Sequence, residues 1–305
     1  MNRRNFIKNS LIATGTLSVA SFDNVAAIAS EMVVGRAPQS GFKKSIMWGT
    51  VGIQGTVLEK CKAIKEAGFD GIEPNSHMDR QEVLDAMQAT GLKASSVCNS
   101  KHWNLLLSHP DREIRKQGIE AMIIAMEDAK AYGTDAVLLV PGRVDENVSY
   151  DDCWQRSTAC IRQLLPVAQD LKVKICIENV WNNFILSPLE ARTYIDQFNS
   201  PNIGFYFDCG NILVYGWPEQ WIKILGYRIG RIHIKEYSKQ IGDKQGRSSG
   251  FGVKLTEGDV RWQEVMQQIR NEYNSEWLTT EQDNSRSLEE LKDLSRRFDH
   301  ILGNL

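Results

Sequence analysis

Short β-rich runs and helical patterns take turns along most of this chain, and that alternation restricts the fold more than any other feature. The runs fall at about 46–50, 70–73, 93–98, 135–140, 173–178, 203–208, 229–235 and 277–281. Helical patterns separate them at about 56–67, 80–90, 111–132, 149–170, 187–198, 217–225, 259–272 and 287–302. The longest, "DREIRKQGIEAMIIAMEDAKAYG", opens on acids, repeats apolar residues at helical spacing and closes on Gly133. "SPLEARTYIDQF" begins with Ser187 as a cap and Pro188 in the first turn, where a missing N–H costs nothing. Glycine repeatedly ends a helix just before a strand, in "KEAGFDGIE", "MQATGLKASSV" and "AYGTDAVLLV".

Parallel strands joined by crossover helices are covered on both faces, so they read as near-continuous apolar runs. Eight such units close on themselves. The pattern predicts an α/β (β/α)8 TIM barrel, parallel and eight-stranded, in a single domain over 45–305. An open doubly wound sheet would use fewer strands, and no GxGxxG follows a first strand, which removes the usual dinucleotide site.

The N-terminus has a different character. "NRRNFIK" places Arg3 and Arg4 ahead of the uncharged, moderately apolar "NSLIATGTLSVAS", and "AIA" at 27–29 gives a small-x-small cleavage pattern. This resembles a twin-arginine export signal. It implies a signal peptide over 1–29, a flexible leader over 30–44 and a periplasmic address. The apolar run is rich in Thr and Ser and shorter than the roughly 20 residues a span needs, so no membrane span is expected. A formal net charge of −2 argues against a nucleic-acid partner. The six cysteines, Cys61, Cys98, Cys153, Cys160, Cys176 and Cys209, form no CxxC pair and read as core thiols, with a disulfide after export left open.

In such barrels the chemistry sits at the C-terminal strand ends. Strand two, "FDGIEP", ends on Glu73; strand five, "KVKICIEN", on Glu178; strand six, "IGFYFD", on Asp208; and strand eight, "EWLTTEQD", on Glu281. Strand seven, "GRIHIKEY", carries His233 and Lys235. Carboxylates gathered at an apolar mouth repel one another and raise one another's pKa, and a divalent cation relieves both problems. Glu178, Asp208, His233 and Glu281 offer three carboxylates and one imidazole, a set suited to Mn²⁺, Mg²⁺, Co²⁺ or Zn²⁺ and leaning toward the harder ions. His233 would bind as neutral imidazole, its other ring nitrogen held by a further partner.

With "GFDGIEP", "GTDAVLLVPG", "ICIEN", "FYFDCGN", "RIHIKEY", "EGDVRW" and "TTEQD" in order, the chain resembles the xylose isomerase-like TIM-barrel superfamily, in its sugar phosphate isomerase/epimerase branch, over about 45–302. The resemblance implies that the four residues hold one divalent ion. It implies that Glu178 and Glu281 are also the acid/base pair acting on opposite faces of a keto sugar, with Asp208 and His233 as ligands alone. The chain departs from the epimerases of that superfamily in the residues around the substrate. Asn211 stands where they have a histidine, Phe184 where they have a second glutamate, and Lys239 where they have an arginine.

Other residues near the mouth are expected to touch substrate. These are His102 with Trp103, Trp48, Trp181, Asn211 and Glu73, with Lys235 either steadying an oxyanion or neutralising Glu73 or Glu236. The polar, glycine-rich "SKQIGDKQGRSSGFGVKLTEGD" is expected to be an ordered cover. The expected activity is metal-dependent isomerisation or epimerisation of an unphosphorylated keto sugar. The alternative is a lyase or hydratase performing β-elimination on 3-keto glycosides. An apurinic-site endonuclease is a remote alternative: its three-metal cluster would need several histidines, the chain has only five (His77, His102, His109, His233 and His300), His300 falls on the last helix and the net charge is acidic. A non-catalytic binding protein has little use for three converging carboxylates.

Overall fold

A computed structural model describes residues 41–283 and 285–303. The expected signal peptide, and the expected leader as far as residue 40, lie outside the described residues. The strands are β1 (Lys43–Met47), β2 (Gly71–Glu73), β3 (Lys93–Ala94), β4 (Val97–Cys98), β5 (Ala136–Leu139), β6 (Lys174–Glu178), β7 (Ile203–Asp208), β8 (Ile229–Ile234) and β9 (Trp277–Thr280). The helices are α1 (Val57–Glu66), α2 (Arg80–Thr90), α3 (Arg112–Tyr132), α4 (Tyr150–Leu171), α5 (Pro188–Asp196), α6 (Cys209–Ile212), α7 (Pro218–Leu225), α8 (Lys239–Gln245), α9 (Trp262–Glu272) and α10 (Leu288–Leu302).

The strands pair in parallel in the order β3-β2-β1-β9-β8-β7-β6-β5-β4. The two ends of that order, β3 and β4, are consecutive in the chain and together make the expected third strand, so the ring closes there. A parallel bridge from Asn75 to Cys98 completes the seam. This is the TIM-barrel fold, with its third stave broken at Ser95 and Ser96. The carbonyl of Ser95 accepts from Thr134 Oγ1 at 2.9 Å and Arg231 Nε at 2.7 Å. The Ser96 hydroxyl turns inward, 2.8 Å from Glu73 and 2.9 Å from the Tyr206 hydroxyl. At the break the Ser95 N–H still donates to the Ile72 carbonyl at 2.9 Å, while side chains take over only at its carbonyl.

The first strand starts earlier than expected and takes in the last two residues of the expected leader. Two lysines conceal its beginning. Lys43 pairs with Glu276 at 2.7 Å, while the Lys44 amine reaches Ser295 Oγ at 2.8 Å and Asp299 at 2.7 Å, so both charges sit within a strand. The strand ends at Met47, and Trp48 lies in the short 3-10 turn Trp48–Thr50.

Side-chain alternation then decides what faces the lumen. The outward residues Ile175, Ile177, Phe205, Phe207, Ile232 and Ile234 pack under the helices. The inward set includes Cys176, Tyr206, Cys98, Ala136 and Leu138, an inner apolar layer. The same parity brings Glu178, Asp208 and His233 inward one level higher, and cross-strand pairing sets Asp208 beside His233. Glu281 follows β9 by one residue and keeps the inward parity of Thr279, which pairs with His233.

The segment after β8 is folded, as α8 and the 3-10 turn Arg247–Gly252. Its root is the buried Glu236, whose carboxylate accepts from the backbone N–H groups of Tyr237, Thr256 and Val260 and from Trp262 Nε1. A Cβ on Gly258 would sit 2.5 Å from that carboxylate, so "EGDVRW" needs its glycine. Gln282 pins the other side: its amide donates to the carbonyls of Phe251 and Val253 at 2.8 and 2.6 Å, and its oxygen accepts from Glu236 N–H at 2.7 Å. Gln282→Ala is expected to destabilise the fold by about 3 kcal/mol, because buried backbone groups would be left unpaired at roughly 1–3 kcal/mol each. Urea unfolding measures this, and a loss under about 1 kcal/mol would refute the pinning.

All six cysteines are buried and unpaired. Among the described residues, no helix is long and apolar enough to cross a membrane.

Candidate metal centre

Glu178, Asp208, His233 and Glu281 converge: one ligand atom from each lies within 4.8 Å of the others, the only such group among the described residues. His233 Nδ1 is 3.3 Å from Glu178 Oε1, 3.1 Å from Glu281 Oε2 and 3.9 Å from Asp208 Oδ2. Donors about 2.1 Å from one ion lie about 3–4 Å apart, so these separations suit a common centre.

Asp208 answers for its own position at the strand tip. Its Oδ1 caps the short helix α6, accepting from Asn211 N–H at 2.6 Å, while its Oδ2 is buried with no hydrogen-bond partner. An orphaned buried carboxylate oxygen is costly unless a cation completes it. Asn179 holds the Asp208 backbone from both sides, accepting from its N–H at 2.9 Å and donating to its carbonyl at 3.0 Å. A Cβ on Gly210 would sit 2.9 Å from the Lys235 carbonyl, so only glycine lets α6 pack against β8 there.

Without a cation the cluster favours protons. Burial, with the charge of Glu281, pushes the Glu178 carboxyl up to about 7. Asp208 is driven well above the usual carboxylate range by burial and by Glu281 and Glu178, against the pull of Lys235. Burial works against an imidazolium at His233, but the Glu73 charge and the carboxylates around the ring outweigh it and raise its pKa far above the ordinary value. Burial also opposes ionisation of Glu281, yet Lys235, 3.1 Å away, and His233 hold it well below its ordinary value. Each raised value marks a place where positive charge is wanted. A divalent ion fits the donor set.

The other ring nitrogen, His233 Nε2, lies 2.8 Å from Glu73 Oε2. Glu73 is fully buried below the mouth and, contrary to the expectation, does not line the cavity. It orients the imidazole and is itself held by Ser96, which Tyr206 supports in turn. Loss of such a partner costs roughly 10–100-fold in metal affinity. Calorimetric titration of Glu73→Gln with Mn²⁺ is expected to show that weakening, and unchanged affinity would leave Glu73 a packing residue.

Above the cluster lies a cavity of about 240 Å³. Glu178 and Glu281 line it, with His102, Trp103, Trp181, Asn211, Lys235 and Phe251 around the walls. Asp208 and His233 are fully buried and do not line it. The His102 ring accepts from Val140 N–H on Nδ1, and burial lowers its pKa to about 4, so it stands neutral with Nε2 as a donor. Trp181 is fixed by its indole N–H, 3.0 Å from the Asn211 carbonyl, and by the Phe251 ring 4.8 Å away. Trp48, expected at the mouth, packs against the core under Lys60 instead. Phe184 belongs to an aromatic cluster with Tyr150, Trp154 and Tyr194, and Lys239 lies over the Trp217 ring. Two positions where the resemblance would put substrate contacts therefore do not face the cavity.

Sequence reasoning missed Asn179, Ser96, Tyr206 and Phe251. Asn179 follows Glu178 directly and its motif "ICIEN" was readable, whereas Phe251 sits in a polar, glycine-rich run with nothing to single it out.

Residues 61–300 match the sequence profile of the xylose isomerase-like TIM barrel. The L-ribulose-5-phosphate 3-epimerase UlaE of Escherichia coli is 25% identical over 195 residues, 59% of this chain and 68% of that protein. Among solved structures, the 3-keto-D-glucoside 4-epimerase YcjR of E. coli superposes with a TM-score of 0.70 at 17% identity, covering 85% of this chain and 98% of YcjR. The IOLI protein, solved with a bound zinc atom, gives a TM-score of 0.68 at 15% identity, covering 86% of this chain and 98% of IOLI.

Proposed function

The chain belongs to the xylose isomerase-like TIM-barrel family, and from that membership we propose that it is a divalent-metal-dependent isomerase or epimerase that removes the proton beside the carbonyl of an unphosphorylated keto sugar. The observation that carries this is the division of the four ligands. Glu178 and Glu281 reach the cavity from different strands, while Asp208 and His233 stay beneath it. The upper pair has access to substrate protons; the lower pair has none.

Glu178, Asp208, His233 and Glu281 would hold the ion, which supplies Lewis-acid polarisation of a carbonyl oxygen and its neighbouring hydroxyl. One of Glu178 and Glu281 takes the α-proton as general base, and the other returns a proton on the opposite face. His102 Nε2 and Asn211 offer hydrogen bonds to substrate hydroxyls, and the Lys235 amine adds positive charge beside the developing oxyanion. Three oxygens and one nitrogen favour Mn²⁺, Mg²⁺, Co²⁺ or Zn²⁺, and the zinc in the IOLI protein is one member of that set. A cavity of about 240 Å³ is at or below the lower end of the usual range for ligand sites, which suits a single sugar ring. The paired Arg3 and Arg4 support export, so the reading includes a periplasmic address, tested by fractionating cells that express the full chain.

Incubating metal-loaded protein with keto sugars and 3-keto glycosides in D₂O tests the reaction by NMR. Deuterium is expected at the carbon beside the carbonyl of a substrate and its isomer or epimer. An unsaturated product instead would assign β-elimination, the reaction of a lyase. No exchange across the panel would reject α-proton chemistry.

A further inference from the structure

We infer that an outer subsite on the rim, built from Tyr215, Trp217 and Arg247, takes the second ring of a glycoside whose first ring occupies the cavity. The inference rests on the carbohydrate reading above. The inner cavity has room for one ring, and one of its walls is Trp181. That wall does not stop at the mouth. The Arg247 guanidinium lies between two aromatic rings, 5.9 Å from the Trp181 ring and 5.7 Å from the Tyr215 ring. It links the cavity wall at Trp181 to Tyr215 outside it. Trp217, two residues beyond Tyr215, is half exposed, and Lys239 of the folded segment lies 5.5 Å from its ring.

Four large aromatic side chains are at least 36% exposed among the described residues: Trp103, Tyr215, Trp217 and Tyr227. The first three come from segments that follow strand C-terminal ends. Trp103 lines the cavity itself, and Tyr215 and Trp217 follow β7 a few residues after Asp208. Exposed apolar area grouped at one rim marks a surface made for contact. Aromatic faces suit the C–H face of a pyranose, and the Arg247 fork, steadied by two rings, offers up to five N–H donors to ring hydroxyls. The chemistry is that of a neutral sugar ring against an aromatic ledge.

Calorimetric titration of the full chain with methyl β-glucoside, cellobiose and maltose tests the ledge. At least one disaccharide is expected to bind about tenfold more tightly than the methyl glycoside. The double substitution Tyr215→Ala with Trp217→Ala is expected to erase that margin while leaving methyl glucoside and Mn²⁺ affinities unchanged. Arg247→Ala, at an exposed position, is expected to reduce the margin with no change in thermal midpoint. Equal affinity for all three sugars overturns the proposal, as does a margin that survives the double substitution. If sedimentation shows that the double variant loses a dimer while the margin survives, the ledge is a contact between copies and the proposal likewise falls. Absence of Mn²⁺ binding or of deuterium exchange would strike the reaction proposed above, and the sugar comparison would still stand, because its readout does not pass through the metal.

Discussion

Glu178→Gln is expected to slow α-proton exchange by at least about 10³-fold, with Glu281→Gln close behind. Positioned general acids and bases contribute roughly 10²–10⁴ in rate, and each of these residues is a ligand as well. Glu178 is the more sensitive of the two. Lys235 pairs with Glu281 at 3.1 Å and favours its ionised form, which weakens it as a proton carrier, whereas no lysine or arginine pairs with Glu178 among the described residues. The amide of glutamine can still offer an oxygen to a cation but can neither take nor return a proton. Saturating Mn²⁺ therefore restores occupancy, confirmed by calorimetry, without restoring exchange. Asp208→Asn has the opposite signature: weakened Mn²⁺ binding, with turnover partly recovered at high metal. If Glu178→Gln exchanged deuterium within tenfold of the parent protein, the acid/base assignment would be wrong.

The second large effect is a reversal of pH dependence by metal. Glu178 has a folded pKa of about 7, raised from 4.5, so the metal-free folded state holds a proton that the unfolded chain releases. Stability from this group is therefore full below about pH 4.5 and is lost as pH rises through about 7, on the order of 3 kcal/mol in all. His233, also raised, acts in the same direction from its ordinary value upward. Glu281 has the opposite sign, and its contribution fades only under acid. A bound ion would displace the protons that Glu178, Asp208 and His233 hold without it. Mn²⁺ affinity should rise at least about tenfold between pH 6 and pH 7, with proton release measurable in buffers of different ionisation enthalpy. At one hundred times its dissociation constant the ion adds about 2.7 kcal/mol, roughly 5–10 °C in midpoint. Thermal melts should thus fall from pH 5 to pH 8 without metal and hold or rise with it. Parallel curves in the two conditions would remove the cluster as a metal site.

Much of this was legible because two periods govern the chain. Apolar residues at helical spacing alternate with short buried runs, and that alone points to a parallel barrel. The ligand set was legible for a related reason: strand ends in a barrel share one rim, so "ICIE", "FYFD", "RIHI" and "TTE" announce a common level. What stayed hidden depended on contacts across the lumen or on side chains disguising their backbone. Glu73 reads as one more strand-tip acid, yet it faces His233 from a strand 160 residues away and acts below the mouth. Lys43 and Lys44 look like leader residues, and only their partners in distant segments make them a strand. The break in the third stave follows from two serines whose bonds run inward and sideways. Trp48 sits just past a strand, and one turn of 3-10 helix directs it toward the core.

The thiols carry a consequence beyond packing. No cysteine of the described fold forms a cross-link, and all six are shielded within it. The molecule thus needs no oxidant to mature and gives external oxidants little to attack while it stays folded. Such a barrel can be completed in a reducing environment and put to work in an oxidising one with its covalent structure unaltered.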